Sequence, residues 1–251
     1  MQFFCFYQYN PVPQISIEGV SLVETMRLVN GQIPLLKWHE ARVLRSIKEL
    51  GFDQIENLRL ISMLLSCLEE SNLKNARVRL EYDAFGHSRI DLVEDDQIGF
   101  GLNEQGLKLE LNQEDLLPSS GRGLKEGDFS FYRKVWDKAM RNGFDYPLIW
   151  NSSLGLAETS IHNIYLVHKD KIYTPSNDSA CVQGVLRSYL LEKYSDLIEC
   201  KSLTFNDLEL ADYVFVSNAY RGILWVQNVD DRKFEQWPVL EEWINSLNRI
   251  G

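Results

Sequence analysis

Side chains that can do chemistry occur along this chain in seven short motifs. They combine a loop lysine, carboxylates, arginines and steps rich in backbone amides, so they offer an amine nucleophile, proton carriers and anion-binding groups. No single motif is specific enough to indicate a function, but the order of all seven along the chain is informative. In chain order they are E-T-M-R (24–27), H-x-x-R (39–42), Lys125, E-T-S-x-x-N (158–163), T-P (174–175), G-V-L-R (184–187) and V-S-N-A (216–219).

Each of the candidate residues also has an ordinary structural explanation. Lys125 lies in the glycine-bounded loop GRGLKEG, where a solvated lysine is common. Glu158 fits a surface glutamate at a strand edge, and Arg42 fits a surface ion pair with another charge at helical spacing. Arg79 alternates with apolar residues and fits an outward-facing strand charge. The residue types alone therefore leave both kinds of explanation open.

Composition and charge exclude several classes of protein. The 251 residues are 45% hydrophobic and 25% charged, which is typical of a globular protein. The formal net charge of −10 is shared evenly between the two halves, so we expect no nucleic-acid partner, although a local cluster can still hold one small anion. No apolar run approaches the ~20 residues of a membrane span, and the N-terminus lacks the basic region of a signal peptide. We expect no membrane contact and a cytoplasmic location.

The spacing of cysteines and histidines predicts no metal site and no disulfide framework. There is no C-x-x-C pair, and the histidines show no ligand spacing, so we expect them at the surface or with single hydrogen bonds. No phosphate loop, G-x-G-x-x-G, G-x-S-x-G or H-E-x-x-H motif is present. The residues in question are Cys5, Cys67, Cys181, Cys200, His39, His87, His162 and His168.

Hydrophobic periodicity predicts a mixture of helices and strands, which is typical of an α+β fold. The Asn30-Gly31 step predicts a tight turn, and Gly51 a helix C-cap. A composition dip at 95–106 predicts a small N-terminal α+β domain over 1–104 and a larger one over 105–251, with a loop at 118–123. The predicted helices are 35–52, 58–71, 131–142, 185–194 and 238–247, and the predicted strands lie within 1–10 and at 21–27, 76–82, 148–151, 163–168, 171–173 and 213–217.

Taken together, the seven motifs resemble those of the fold type IV pyridoxal-phosphate enzymes. This class IV aminotransferase family includes branched-chain and D-amino-acid aminotransferases and aminodeoxychorismate lyases. The resemblance extends from about Ser21 to about Val226 in the family's order and spacing. It implies two α+β domains of mixed sheet and helices, as in D-amino-acid aminotransferase, with pyridoxal 5′-phosphate in the cleft between them. It also implies a homodimer whose partner chain completes the site.

The resemblance assigns the catalytic role to Lys125. Its amine would form a Schiff base with the cofactor aldehyde and then move a proton at the substrate α-carbon. Glu158 follows 33 residues later, as in the family, and its carboxylate would keep the pyridine nitrogen protonated. Lys134 and Lys138 are rivals at intervals of 24 and 20 residues, but the charged outer face of a helix explains both.

The resemblance also implies ligands for the two anionic groups. Arg42 would supply positive charge to the cofactor phosphate. Gly184-Val185 would offer backbone N–H groups at the start of a helix, and Asn218-Ala219 would add contacts from the loop after a strand. Arg79 and Arg221 are the candidates for a substrate carboxylate.

The stretch V-S-N-A-Y-R-G-I (216–223) and the short chain favour the aminodeoxychorismate lyases within the family. Such an enzyme would release pyruvate from the small amino-acid-like substrate 4-amino-4-deoxychorismate and leave 4-aminobenzoate. A branched-chain or D-amino-acid aminotransferase stays open as the alternative, because Glu126 and Phe129 stand where relatives often have Thr and Arg. A non-catalytic relative of the same fold is the third hypothesis.

Overall fold

A computed structural model describes most of the chain and divides it into two compact units. The first unit comprises residues 1–99, 125–128 and 250–251, and the second comprises 100–124 and 129–249. Lys125 therefore belongs to the first unit, and the boundary near residue 104 stays a prediction. The described residues are 3–7, 21–52, 57–85, 87–95, 100–101, 105–114, 123–127 and 129–250.

The first unit is a four-stranded sheet with two helices. The strand order is β1-β4-β3-β2, with β1 parallel to β4 and the other pairs antiparallel. On β3, Val78, Leu80 and Tyr82 are buried, so the predicted alternation is confirmed. The elements are β1 (Phe3–Tyr7), β2 (Ser21–Leu28), α1 (Leu36–Leu50), α2 (Asn57–Ser71), β3 (Ala76–Asp83) and β4 (Ser88–Glu94).

The turn and cap signals of the first unit are also confirmed. Asn30 and Gly31 both have positive φ, and Val29 bridges Gln32 across them, as a tight turn requires. Gly51 has a φ of +67° and donates its N–H to the Ile47 carbonyl, which closes α1.

The second unit is built on a nine-stranded sheet. The order is β10-β9-β8-β11-β12-β5-β6-β7, with β13 beside β12, and a further pairing of β7 with β8 closes a ring of six strands. The elements are β5 (Leu107–Asn112), α3 (Ser130–Arg141), β6 (Tyr146–Asn151), β7 (Gly155–Thr159), β8 (Asn163–His168), β9 (Lys171–Pro175), α4 (Val185–Lys193), β10 (Ile198–Lys201), α5 (Phe205–Leu210), β11 (Tyr213–Asn218), β12 (Gly222–Val229), β13 (Arg232–Lys233) and α6 (Leu240–Leu247).

Every helix and strand predicted from the sequence is present, which confirms the α+β class. The strands β4, β5, β7, β10, β12 and β13 and the helix α5 were not predicted. Most of the 118–123 loop and part of the 95–106 dip lie outside the described residues. No helix in the described ranges is long and apolar enough to cross a membrane.

Gly155 provides a test of the close packing at the start of β7. Its φ is +87°, and a Cβ there would lie 2.2 Å from the Leu203 carbonyl oxygen, which already accepts the Leu156 N–H at 2.9 Å. We expect Gly155→Ala to lower the free energy of unfolding by roughly 3 kcal/mol, through left-handed strain and overpacking together. Urea denaturation measures the loss.

Gly143→Ala is the matched control. Gly143 has a φ of +84°, but a Cβ there would meet nothing within 4 Å. Only the conformational strain of about 1–2 kcal/mol is therefore expected. Equal losses in the two variants would contradict the packing argument.

Candidate functional site

The backbone around Lys125 is fixed against the free edge of β2. The Val23 N–H donates to the Lys125 carbonyl at 2.9 Å, and Leu22 forms an antiparallel bridge with Glu126. The Gly127 N–H donates to the carbonyl of the first residue of β2 at 2.8 Å. Lys125 is thus half-buried and held in register with the strand, and is not a solvated loop residue.

A buried ion pair joins β2 to α1. Arg42 Nε donates to Glu24 Oε1 at 2.7 Å, and Nη2 donates to Oε2 at 2.6 Å. His39 Nδ1 lies 2.6 Å from the same Oε2. His39 and Arg42 are three residues apart and therefore share one helix face. Glu24, His39 and Arg42 are only 2%, 1% and 7% exposed, so the explanation of Arg42 as a surface ion pair is wrong.

The charges of this cluster follow from its burial and pairing. Burial alone would raise the pKa of Glu24, but Arg42 and His39 outweigh it and lower the pKa to about 2. Burial lowers the pKa of His39, and the charges of Arg42 and Lys125 lower it further, against the opposing effect of Glu24. At neutral pH the carboxyl is therefore ionised and the imidazole neutral.

These charge states fix the tautomer of His39. An ionised carboxylate can only accept hydrogen bonds, so Nδ1 carries the proton that lies on Glu24. The other ring nitrogen, Nε2, is then a bare acceptor. It is buried and has no hydrogen-bond partner among the described residues.

In the second unit, Glu158 lies at the pairing that closes the ring of strands. It is buried on β7 and stands in register with Asn163 on β8. Tyr132 donates its hydroxyl to Oε1 at 2.7 Å, and the Val182 N–H donates to Oε2 at 3.1 Å. Asn163 Nδ2 lies 3.5 Å from Oε2 and donates to the Val182 carbonyl at 2.7 Å. These partners are all donors, so the carboxylate is held as an acceptor.

The start of α4 lies beside this carboxylate. Gly184 is the N-cap, and no acceptor for the N–H groups of Gly184, Val185 or Leu186 is found within the described part of the chain. A Cβ on Gly184 would lie 2.0 Å from Asn163 Oδ1, so a side chain there would displace Asn163. The helix therefore presents unpaired N–H groups close to Glu158, an arrangement that suits an anion.

Arg187 in G-V-L-R has a structural role. It is buried and donates to the Pro175 carbonyl at 2.7 Å and to Asn177 Oδ1 at 3.1 Å. Its hydrogen bonds therefore connect the start of α4 to the T-P segment at the end of β9.

Asn218 connects the loop after β11 to the turn between β7 and β8. Its Nδ2 donates to the Ile161 carbonyl at 3.2 Å, while its Oδ1 accepts the N–H groups of Tyr220 and Arg221 at 3.0 and 2.6 Å. Ala219 is half-buried within this loop. One short segment of the second unit, residues 159–163, therefore connects three candidate groups: Glu158, Gly184-Val185 and Asn218-Ala219.

The two arginines expected to bind a substrate carboxylate already have partners. Arg79 donates to Glu81 on the same strand at 3.3 Å, and both side chains are partly exposed. Arg221 is exposed at the backbone turn, and its positive charge acts on Tyr146, whose pKa is raised by burial in spite of that charge. Neither arrangement identifies a substrate ligand.

The two rival lysines lie on the outer, charged face of a helix, as the sequence predicts. Lys134 and Lys138 on α3 both donate to Glu114, at 2.9 and 3.4 Å, and Lys134 is 72% exposed. In the described ranges, no three His, Cys, Asp or Glu residues could hold a metal ion.

Sequence reasoning missed the roles of four residues. Glu24 and His39 lie inside the E-T-M-R and H-x-x-R motifs, and His39 is buried with one side-chain hydrogen bond among the described residues, so it meets the second alternative of the expectation for the histidines. Tyr132 and Asn163, which contact Glu158, also received no firm assignment. The order of the motifs could have pointed to Glu24 and His39, because His39 lies in the same H-x-x-R motif as Arg42 and Glu24 lies in the motif before it.

Comparisons with known proteins cover nearly the whole chain. The model of the family described as amino-transferase class IV matches residues 21–229. The chain is 27% identical over 231 residues to aminodeoxychorismate lyase of Bacillus subtilis (strain 168), which covers 85% of this chain and 78% of that protein.

Two solved structures share the fold. The branched-chain aminotransferase of Thermoproteus uzoniensis has a TM-score of 0.79 at 20% identity, covering 92% of this chain and 85% of that one. The 4-amino-4-deoxychorismate lyase of Pseudomonas aeruginosa has a TM-score of 0.76 at 20% identity, covering 94% and 95%.

The buried Glu24 should make stability depend on acid pH. Its folded pKa of about 2 lies below the ordinary 4.5, so its stabilisation is complete above pH 4.5 and disappears as the pH falls toward 2. This amounts to about 3 kcal/mol. We expect Glu24→Gln to lose about 3–5 kcal/mol at pH 7 and to lack this acid dependence. Urea denaturation between pH 7 and pH 3 measures both.

Glu40→Gln is the control on the same helix. The Glu40 carboxylate has no hydrogen bond or ion pair with any described residue. The wild-type pH dependence should therefore persist in this variant. An unchanged acid slope in Glu24→Gln would show that the pair is not the source.

Proposed function

Because the chain belongs to the class IV aminotransferase family, whose enzymes use pyridoxal 5′-phosphate, we propose that it is a 4-amino-4-deoxychorismate lyase. The products are 4-aminobenzoate and pyruvate, which places the reaction in folate biosynthesis. The observation that carries the proposal is the buried Glu158, which donors hold as an acceptor near the first N–H groups of α4, for which the described residues offer no acceptor. The Bacillus subtilis lyase, which aligns with 85% of the chain, favours this member of the family.

The residues present fit the cofactor. Its phosphate needs positive charge and N–H donors, and Arg42, Gly184-Val185 and Asn218-Ala219 would supply them. Glu24 occupies Nε and Nη2 of Arg42, so Nη1 is the nitrogen left to reach a phosphate oxygen. Glu158 would accept a hydrogen bond from the pyridinium N–H, because a carboxylate has about four acceptor positions.

The reaction needs protons moved at defined atoms. When bound, the cofactor supplies an aldehyde that captures the substrate amine and a ring that takes up electrons. Lys125 would hold the aldehyde before substrate arrives, and its released amine would take the proton from the ring carbon that bears the amino group. Loss of the enolpyruvyl group then makes the ring aromatic, and a proton added to that group gives pyruvate. The atoms balance without water or an oxidant.

Glu158 would keep the pyridine nitrogen protonated throughout. A carboxylate beside this nitrogen favours its charged form, which is the form that takes up electrons. Tyr132 and Val182 would orient the carboxylate for this task through the bonds already described. Arg79 and Arg221 stay the proposed contacts for a substrate carboxylate.

The second candidate function is a branched-chain or D-amino-acid aminotransferase. The fold shared with the Thermoproteus uzoniensis enzyme favours it, and the same lysine and glutamate would serve both reactions. A non-catalytic relative of the same fold would bind substrate without product formation. A homodimer and a cytoplasmic location stay predictions.

Replacement of the proposed catalytic lysine tests the enzyme assignment. We expect Lys125→Ala to lose the visible absorption of bound pyridoxal phosphate and to reduce 4-aminobenzoate formation by at least about 10³-fold. Absorption spectra and product fluorescence measure the two effects. Lys134→Ala, which alters an exposed ion pair on α3, should retain both. Full activity in Lys125→Ala would overturn the assignment.

The lyase and aminotransferase hypotheses differ in their need for a second substrate. The lyase should convert 4-amino-4-deoxychorismate over many turnovers with no 2-oxo acid added, because the amino group stays on the product. An aminotransferase should form no 4-aminobenzoate and should exchange amino groups between an amino acid and 2-oxoglutarate. Coupled detection of pyruvate and of glutamate distinguishes them.

A further inference from the structure

His39 carries a buried hydrogen-bond acceptor that no described residue uses. The ring is 1% exposed, and its Nδ1–H is committed to Glu24. A buried acceptor without a hydrogen bond destabilises the folded protein by about 1–3 kcal/mol. A donor that reaches Nε2 would remove this penalty. The identity of that donor depends on which groups lie around the ring.

Among the described residues of the first unit, electrostatic interactions connect three polar groups other than Glu24 to this cluster. Arg42 lies on the same helix, but Glu24 holds its Nε and Nη2. Tyr82 on β3 is close enough to Glu24 and Arg42 for both charges to affect its hydroxyl. Lys125 is the third group, and its positive charge acts on the His39 ring. Of the three, Lys125 has a flexible stem and a cationic donor.

The backbone contacts place Lys125 at the same part of β2. Its carbonyl accepts the N–H of Val23, the residue directly before Glu24. The carboxylate that orients His39 and the strand segment that anchors Lys125 are therefore neighbours in sequence. The lysine side chain has a flexible four-carbon stem, and its charge already acts on the His39 ring.

We propose that Glu24 and His39 form a positioning pair for Lys125, in which His39 Nε2 accepts a hydrogen bond from the lysine amine. The proposal rests on the proposed function only in taking Lys125 as the reactive amine. Glu24 fixes the ring and its tautomer, and the ring in turn fixes the amine. A neutral amine that donates one N–H to Nε2 keeps its lone pair free to attack a carbonyl carbon.

The same tautomer argues against His39 as a ligand of the cofactor phosphate. A bare Nε2 lone pair repels phosphate oxygens, and only a protonated ring would bind them. The buried environment and the charges of Arg42 and Lys125 disfavour that protonated form. The H-x-x-R motif would thus serve two purposes, with Arg42 directed to an anion and His39 to an amine.

The test measures the pKa of Lys125 in the full chain without added cofactor. Acetylation by acetic anhydride is followed from pH 6 to pH 11, and mass spectrometry quantifies the peptide that carries Lys125. We expect His39→Leu to lower this pKa by about one unit, because the ammonium loses a neutral acceptor. His39→Gln should restore most of the wild-type value, since its amide can donate to Glu24 and accept from the lysine. An unchanged pKa in His39→Leu, or equal shifts in both variants, would overturn the proposal.

A second measurement keeps the test valid if His39→Leu fails to fold. In ¹⁵N-labelled wild-type protein, His39 should show a protonated Nδ1 and a hydrogen-bonded, unprotonated Nε2. Lys125→Met should move the Nε2 resonance, whereas Lys134→Met should not. A protonated Nε2, or a resonance that ignores Lys125→Met, would contradict the contact.

The two proposals fail in distinguishable ways. If the His39 variants leave the Lys125 pKa unchanged while Lys125→Ala abolishes cofactor binding and product formation, only the positioning contact is wrong. If the pKa shifts as expected but the wild-type protein binds no pyridoxal phosphate, the contact stands and the proposed function is wrong.

Discussion

Each unit contains a buried carboxylate that must find hydrogen-bond donors, and this requirement orders the candidate residues around it. Glu24 cannot stay ionised inside the first unit without compensation, because a buried charge is costly unless it is paired. Arg42 and His39 provide that compensation from one helix face, so α1 is fixed in both position and rotation against β2. The guanidinium and the imidazole are consequently ordered by the protein itself, before any ligand is considered.

Glu158 has the same function in the second unit, with different partners. Its donors come from a helix, a backbone amide and the neighbouring strand, at the pairing where the ring of strands closes. Hydrogen bonds from the 159–163 turn also fix the segment before α4, through Asn163 and the Val182 carbonyl, and the loop at Asn218, through the Ile161 carbonyl. In a chain of net charge −10, the buried acid of each unit thus orders the cationic or N–H groups around it. The overall acidity says nothing against such a local site.

Elements with strong local signals could be predicted, and contacts between distant elements could not. The periodicity of α1 and the alternation of β3 are properties of single segments, and both were recovered to within a residue or two. The short strands β7 and β10 have too few residues to show a period. The Glu24–Arg42 pair joins a strand to a helix, so only the tertiary structure reveals that Arg42 is buried. Motif order points to Arg42, Lys125 and Glu158 through the family resemblance, and their roles at the cofactor stay predictions.

Some candidate residues are buried and fixed by hydrogen bonds, whereas others are accessible, and this difference suits a family whose enzymes share motifs but use different substrates. Arg42 and Glu158 are locked by buried hydrogen bonds, and the Lys125 backbone is held in register with β2. Arg79 is partly exposed and pairs with Glu81 on its own strand, and Arg221 is exposed in the loop after β11, so neither is buried as Arg42 and Glu158 are. If the proposed roles hold, substrate preference would change at such accessible positions while the buried groups stayed in place. A lyase and an aminotransferase would share the buried groups and differ at the accessible ones, and the choice between them is accordingly a question for substrates and not for the fold.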